Sequence, residues 1–155
     1  MSTPTQSPTF GNAGTPSFND LTSAGPNITR ISKIIVNYGE VLDGLTITYE
    51  TASGPKTETH GGRTGNEVTV TLSADENIVG VCGNYGFQSS VYGTTSINQL
   101  QFIIVNKSTG IARIAGPFAP TRTSTAFRVI GEVVAFAGSL NSNGRFIQAL
   151  SCYTK

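Results

Sequence analysis

Along the chain, apolar residues alternate with polar ones or gather in short runs broken by Gly, Pro and Asn, and no stretch sustains the spacing of an amphipathic helix. The pattern predicts strands. Period-two alternation and β-branched runs mark Thr29–Val36, Leu42–Thr51, Glu67–Leu72, Asn77–Cys82, Gln99–Val105, Ile111–Ala115, Arg128–Ala137 and Arg145–Tyr153, joined by mostly short connections. An all-β domain follows, and sandwich, barrel and prism architectures all accommodate that set of strands. Residues 1–9, MSTPTQSPT, are polar with two prolines. They read as a flexible leader, which puts the folded domain at residues 10–155.

Internal repetition narrows the architecture. Three segments share one pattern: Gly39-Glu-Val-Leu-Asp43-Gly-Leu45, Thr94-Thr-Ser-Ile-Asn98-Gln-Leu100 and Gly144-Arg-Phe-Ile-Gln148-Ala-Leu150. In each, a polar residue precedes the Leu of a strand by two positions, and the polar residues stand 55 and 50 positions apart. The domain reads as three-fold. Gly-rich turns form a second series at Phe10-Gly-Asn-Ala-Gly14-Thr-Pro-Ser-Phe18, His60-Gly-Gly-Arg-Thr-Gly65-Asn66 and, more weakly, Gly116-Pro-Phe-Ala119. Such turns either make tight connections or let a ligand lie against main-chain N–H groups.

Charge changes the picture by what it removes. Only 12% of residues are charged, and ten Lys+Arg against nine Asp+Glu leave a net charge of +1, about half the usual charged share. That composition offers no footprint for a phosphate backbone and no charged patch for a membrane surface, so neither nucleic acid nor membrane insertion is expected. No apolar run approaches the length of a transmembrane helix, and the first residues lack a basic and apolar signal pattern. A cytoplasmic location, or release without a classical signal peptide, is the expectation, and in that setting Cys82 and Cys152 are expected as free thiols. A single histidine, His60, and the absence of Cys/His/carboxylate spacing point to no metal and no cofactor. Catalysis finds no support either. The close acid pairs Glu40 with Asp43 and Asp75 with Glu76 fall on turns, and His60, beside a glycine turn where a loop role is expected, has no Ser, Cys or Asp partner by spacing.

The ordered set of landmarks resembles the jacalin-related lectins, the β-prism family, over nearly all of the chain after the leader. The resemblance rests on Phe10–Phe18, Ile31–Gly39 through Asp43–Tyr49, His60-Gly-Gly, Ala74–Gly80, Ile97–Phe102 with Asn106-Lys107, Gly116-Pro-Phe118, Phe136-Ala-Gly138 and Ile147–Tyr153. It implies a β-prism of three four-stranded antiparallel Greek-key sheets with pseudo-three-fold symmetry. It also implies carbohydrate sites where a Gly-x-x-x-Asp loop meets a Gly-rich loop.

Carried over residue by residue, the resemblance implies a primary site of Gly39, Glu40, Val41, Leu42 and Asp43 facing Gly61, Gly62 and Gly65. Asp43 would be the acceptor and the N–H groups of Val41, Leu42 and Gly65 the donors, with Glu40 and Arg63 reaching a second sugar. A secondary, degenerate site combines Gly14 and Thr15 with Gly144, Arg145, Phe146, Ile147 and Gln148. There Gln148 replaces the acid, Phe146 is a candidate to stack on a sugar face, and the long Ser139–Asn143 loop either covers the pocket or builds a different one. Asn98 with Gly116–Ala119 has lost the acid and most glycines and reads as structural.

The chemistry fits a neutral polyhydroxylated ligand. An ionised Asp only accepts, which suits hydroxyl donors, and backbone N–H groups supply the opposite polarity without side-chain entropy. Because axial and equatorial hydroxyls point differently, such a site is expected to take mannose- or glucose-type glycans in preference to galactose. One shallow site binds weakly, so homo-oligomerisation is the expected route to avidity. The alternative is a structural or protein-interaction prism that has lost sugar binding.

Overall fold

Alternation along Ile31-Ser-Lys-Ile-Ile-Val turns Ile34 and Val36 into the core, both fully buried, and the same rule buries Leu45, Ile47 and Tyr49 two positions apart on the next strand. The computed structural model describes residues 2–88, 93–120 and 124–155. In chain order its elements are β1 (Thr5–Gln6), β2 (Phe10–Gly11), β3 (Ser17–Asn19), α1 (Asp20–Ser23), β4 (Ile28–Tyr38), β5 (Leu42–Thr51), β6 (Gly54–Gly61), β7 (Asn66–Thr71), β8 (Glu76–Gln88), β9 (Thr94–Asn106), β10 (Ala112–Phe118), β11 (Thr125–Ile130), β12 (Val133–Leu140) and β13 (Ile147–Thr154).

These strands form three antiparallel sheets. One runs β6-β5-β4-β7 and another β10-β9-β8-β11, so in each the fourth strand returns beside the first, a Greek key. The remaining sheet runs β1-β13-β12-β3, with β2 also pairing β13. It repeats the same order across the chain ends: β12 and β13 form the long hairpin, and the first strands of the chain complete both of its edges. A single core lies between the sheets, where the Phe102 ring meets Phe136 edge-on at 6.2 Å and Phe118 at 6.1 Å. The architecture is the three-sheet β-prism.

Several elements depart from the sequence expectation. The strand expected over Arg128–Ala137 is two strands, divided at Gly131-Glu132, where Gly131 takes φ +139 and its N–H reaches Val79 O at 3.0 Å. Strand β6 escaped detection because Gly-Pro-Lys-Thr-Glu-Thr-His-Gly is a polar edge strand whose only buried side chain is His60. The leader is not free along its length. Thr5 and Gln6 pair with Thr154 and Tyr153, and Ser7 exchanges hydrogen bonds with Cys152, N–H to O at 2.8 Å and Cys152 N–H to Ser7 Oγ at 3.0 Å. Met1 lies outside the described residues. The sheet built from the chain ends has five strands rather than four, since its outer position is shared by β1 and β2 on either side of Pro8. A four-residue helix, α1, also forms where none was expected, capped by Asn19 Oδ1, which accepts from Thr22 N–H at 3.3 Å. Cys82 and Cys152 are free thiols, and burial pushes the Cys152 thiol pKa well up.

Candidate functional site

The three repeat residues occupy one structural position. Tyr38 pairs with Leu42 and Asn37 with Gly44, which leaves Asp43 as the extra residue of a bulge on β5. Asn98 is the extra residue between Ile97 and Gln99 on β9, and Gln148 the extra residue between Ile147 and Ala149 on β13. A bulge breaks the strict alternation of a strand and re-aims one side chain. Three-fold repetition has therefore placed one re-aimed polar residue near the start of each sheet's second strand.

Their surroundings differ. Asn98 is fully buried and saturated: its oxygen accepts from Gly86 N–H at 3.2 Å and from Gln88 Nε2 at 2.8 Å, and its nitrogen donates to Ser96 Oγ at 2.7 Å. It is structural. Gln148 is half-buried and donates through Nε2 to Thr94 Oγ1 at 2.7 Å. Asp43 is 7% exposed, and among the described residues no side chain or N–H donates to its carboxylate. Burial pushes its pKa up from 3.8 to about 6, because the charged form loses water without gaining a donor.

Glycines create the space around Asp43. A Cβ on Gly39 would stand 3.5 Å from Asp43 Oδ2, and a Cβ on Gly65 would stand 3.1 Å from the same oxygen and 2.5 Å from Tyr38 O. Gly65 also takes φ +72, a conformation that side chains resist. Gly62 N–H is shared between Asp43 O at 3.0 Å and Arg145 O at 3.1 Å, which ties the β4–β5, β6–β7 and β12–β13 connections together at one end of the prism. The structure thus gathers Gly39, Asp43, Gly61, Gly62 and Gly65. Glu40 and Arg63 are exposed beside them, Arg63 pairing with Glu67 at 3.3 Å. Val41 and Leu42, expected as amide donors, are fully buried, so both lie beneath the surface in this conformation.

At the second loop Gly144 and Arg145 lie near the surface, but Phe146 is 2% exposed and Ile147 fully buried. Phe146 is buried where it borders the polar pocket beside this loop, so its ring is not an exposed face for stacking. Ser139 Oγ accepts from Gly14 N–H at 3.0 Å. Asn141 Oδ1 accepts from two successive amides, Arg145 N–H at 2.7 Å and Phe146 N–H at 3.1 Å. The long loop therefore closes over this position. Beside it a polar pocket of about 490 Å³ runs from Asn12–Thr15 to Thr94 and Gln148.

Sequence reasoning missed Asp20. This acid is fully buried on α1, accepting from Tyr49 Oη at 2.5 Å and sitting 2.6 Å from His60 Nε2. His60 is a strand residue of β6 and does have an acidic partner, contrary to expectation. The ring of Phe18 stacks on the imidazole at 3.7 Å, and Tyr49 Oη accepts from Phe136 N–H at 3.2 Å. Burial, with Asp20 adding its charge, holds the Tyr49 phenol well above its ordinary pKa. The network joins the first Gly-rich loop to the strand that leads into the second. Asp20 and His60 stand 40 positions apart, so no local spacing pointed to the pair. Among the described residues no group of three or more His, Cys, Asp or Glu side chains forms a metal cluster.

A family model described as the Jacalin-like lectin domain matches residues 7–153. Among solved structures, wild-type Malaysian banana lectin is 23% identical with a TM-score of 0.81, over 99% of each chain. A mannose-specific jacalin-related lectin from Morus nigra, solved with mannose, is 24% identical with a TM-score of 0.79, over 99% of this chain and 95% of that one. Artocarpin, solved with mannotriose, is 23% identical with a TM-score of 0.80, over 100% of both. At such identities the likeness shows the fold. No curated protein sequence matches the chain.

Proposed function

Because the chain belongs to the jacalin-like lectin family, whose members bind carbohydrate and are not enzymes, we propose that it binds mannose- or glucose-type glycans at the Asp43 loop. One observation carries this reading: a re-aimed carboxylate at a loop end, flanked by Gly39 and Gly65, with no donor among the described residues. A burial of this kind disfavours the charged group unless something supplies hydrogen bonds, and sugar hydroxyls supply them. The equivalent residues Asn98 and Gln148 already have partners. The mannose-type choice is supported by relatives described as mannose-specific or solved with mannotriose. A single such site gains useful strength from several copies on one particle, so the protein works as a homo-oligomer on multivalent glycans.

A second reading, a prism that serves structure or protein contact without sugar, is favoured by the full burial of Val41 and Leu42. Glycan arrays with the wild type and Asp43→Ala separate the two. The lectin reading expects mannose-type signals that Asp43→Ala abolishes. A blank array for the wild type, or equal binding by both proteins, would sink it.

A further inference from the structure

Two successive backbone N–H groups that converge on one oxygen form a small cradle for a ligand oxygen. At Arg145 and Phe146 that cradle is filled from within, by Asn141 Oδ1 at 2.7 and 3.1 Å. The oxygen that fills it hangs from a surface loop. Ser142 and Asn143 are exposed, Asn141 itself is only half-buried, and the polar pocket of about 490 Å³ opens beside it. Three further bonds hold the plug in register. Asn141 N–H donates to Phe146 O at 3.1 Å, Gly144 N–H donates to Asn141 O at 2.8 Å, and Asn141 Nδ2 donates to Asn143 Oδ1.

We propose that Asn141 is an internal ligand that decides whether the Gly144–Gln148 loop accepts an external one. A side-chain carbonyl and a hydroxyl or ring oxygen offer these amides the same acceptor chemistry, so a neutral polyhydroxylated ligand and Asn141 compete for one place. Among the described residues no side chain accepts from the Val41 or Leu42 amides of the Asp43 loop. Closed by its own side chain, the second loop leaves recognition to the first and opens only when Asn141 rotates away, which makes this one residue the determinant of how many sites the domain uses. Displacing two ordinary hydrogen bonds corresponds to about thirtyfold in affinity.

The choice of sugar as probe rests on the proposed lectin function, while the closure itself does not. The test compares wild type, Asn141→Ala and Asn141→Asp, the last of which keeps an acceptor oxygen, by amide hydrogen exchange and by NMR titration with methyl α-mannoside. Slow exchange of the Arg145 and Phe146 amides is expected in wild type and Asn141→Asp, and fast exchange in Asn141→Ala, measured at a temperature where unfolding curves show all three proteins fully folded. On titration, those two amides should shift in Asn141→Ala at about thirtyfold lower sugar than in wild type. Equal exchange in wild type and Asn141→Ala overturns the proposal, as does a sugar response at these amides that is the same in both. Should sugar move the Gly39–Asp43 amides but leave Arg145 and Phe146 of Asn141→Ala unmoved, the plug idea fails and the lectin reading survives. Should sugar move neither set in any protein, the lectin reading fails, and the exchange comparison alone then decides for or against the closure.

Discussion

The Asp43 carboxyl makes the sharpest prediction, because its burial links sugar binding, pH and stability in one residue. Its pKa is raised from 3.8 to about 6 by desolvation. If only the ionised form accepts from two hydroxyls, the apparent affinity scales with the ionised fraction. At pH 5 that fraction is about one tenth, so methyl α-mannoside should bind about tenfold more weakly than at pH 7.5. An acid left at its ordinary pKa would change affinity over this range by less than about a tenth.

Stability should move the opposite way. A carboxyl whose folded pKa lies above its unfolded value favours the fold while protonated, and that contribution is lost as pH rises from about 4 through about 6. Raising the pKa from 3.8 to about 6 corresponds to about 3 kcal/mol at pH 7.5. Asp43→Asn removes the penalty of the buried charge along with the charged acceptor. It should therefore be more stable than wild type by up to about 3 kcal/mol at pH 7.5, equal to it near pH 3.5, and at least about tenfold weaker in sugar binding with no pH dependence. Titration calorimetry at pH 7.5, 6 and 5, paired with urea unfolding at pH 7.5 and 3.5, reads both effects. An affinity that is flat between pH 7.5 and 5, or an inflection near pH 4, would refute the reasoning.

Two further substitutions probe what holds the loops. His60→Ala removes the nitrogen 2.6 Å from a fully buried Asp20 oxygen, leaving that acid short of a partner, and should cost about 3 kcal/mol in urea unfolding; a change below about 0.5 kcal/mol would show that Tyr49 alone satisfies Asp20. Gly61→Ala would bring a Cβ within 2.1 Å of Asp43 O at a position with φ +80. A loss of about 2 kcal/mol or more is expected, together with weakened sugar binding, since the β5–β6 approach that places Gly62 and Gly65 would have to open.

Much of this molecule was readable in one dimension because strands and repeats are local signals. The expected strand Leu42–Thr51 coincides with β5 at both ends, since its inward Leu45, Ile47 and Tyr49 keep strict period two. The repeat at Asp43, Asn98 and Gln148 pointed to three equivalent positions, and the three Greek keys place those residues at equivalent bulges. Polar edges carried no such signal. β6 has no apolar alternation to betray it, and Thr5 and Gln6 pair with Thr154 and Tyr153, 149 and 147 positions away.

Sequence by itself determined the all-β class and the three-fold pattern, because both follow from side-chain period and spacing, while the pairing of loops at the prism end was implied by the family resemblance. Only the tertiary structure decided what those residues are free to do. Among the described residues the Asp43 carboxylate stands without a donor, Asn98 is saturated, Phe146 is buried, and the amides of Arg145 and Phe146 are already occupied by Asn141. Every one of those outcomes turns on which polar atoms find partners within about 3 Å, and loops brought together by closing three sheets settle that in a way no spacing along the chain encodes.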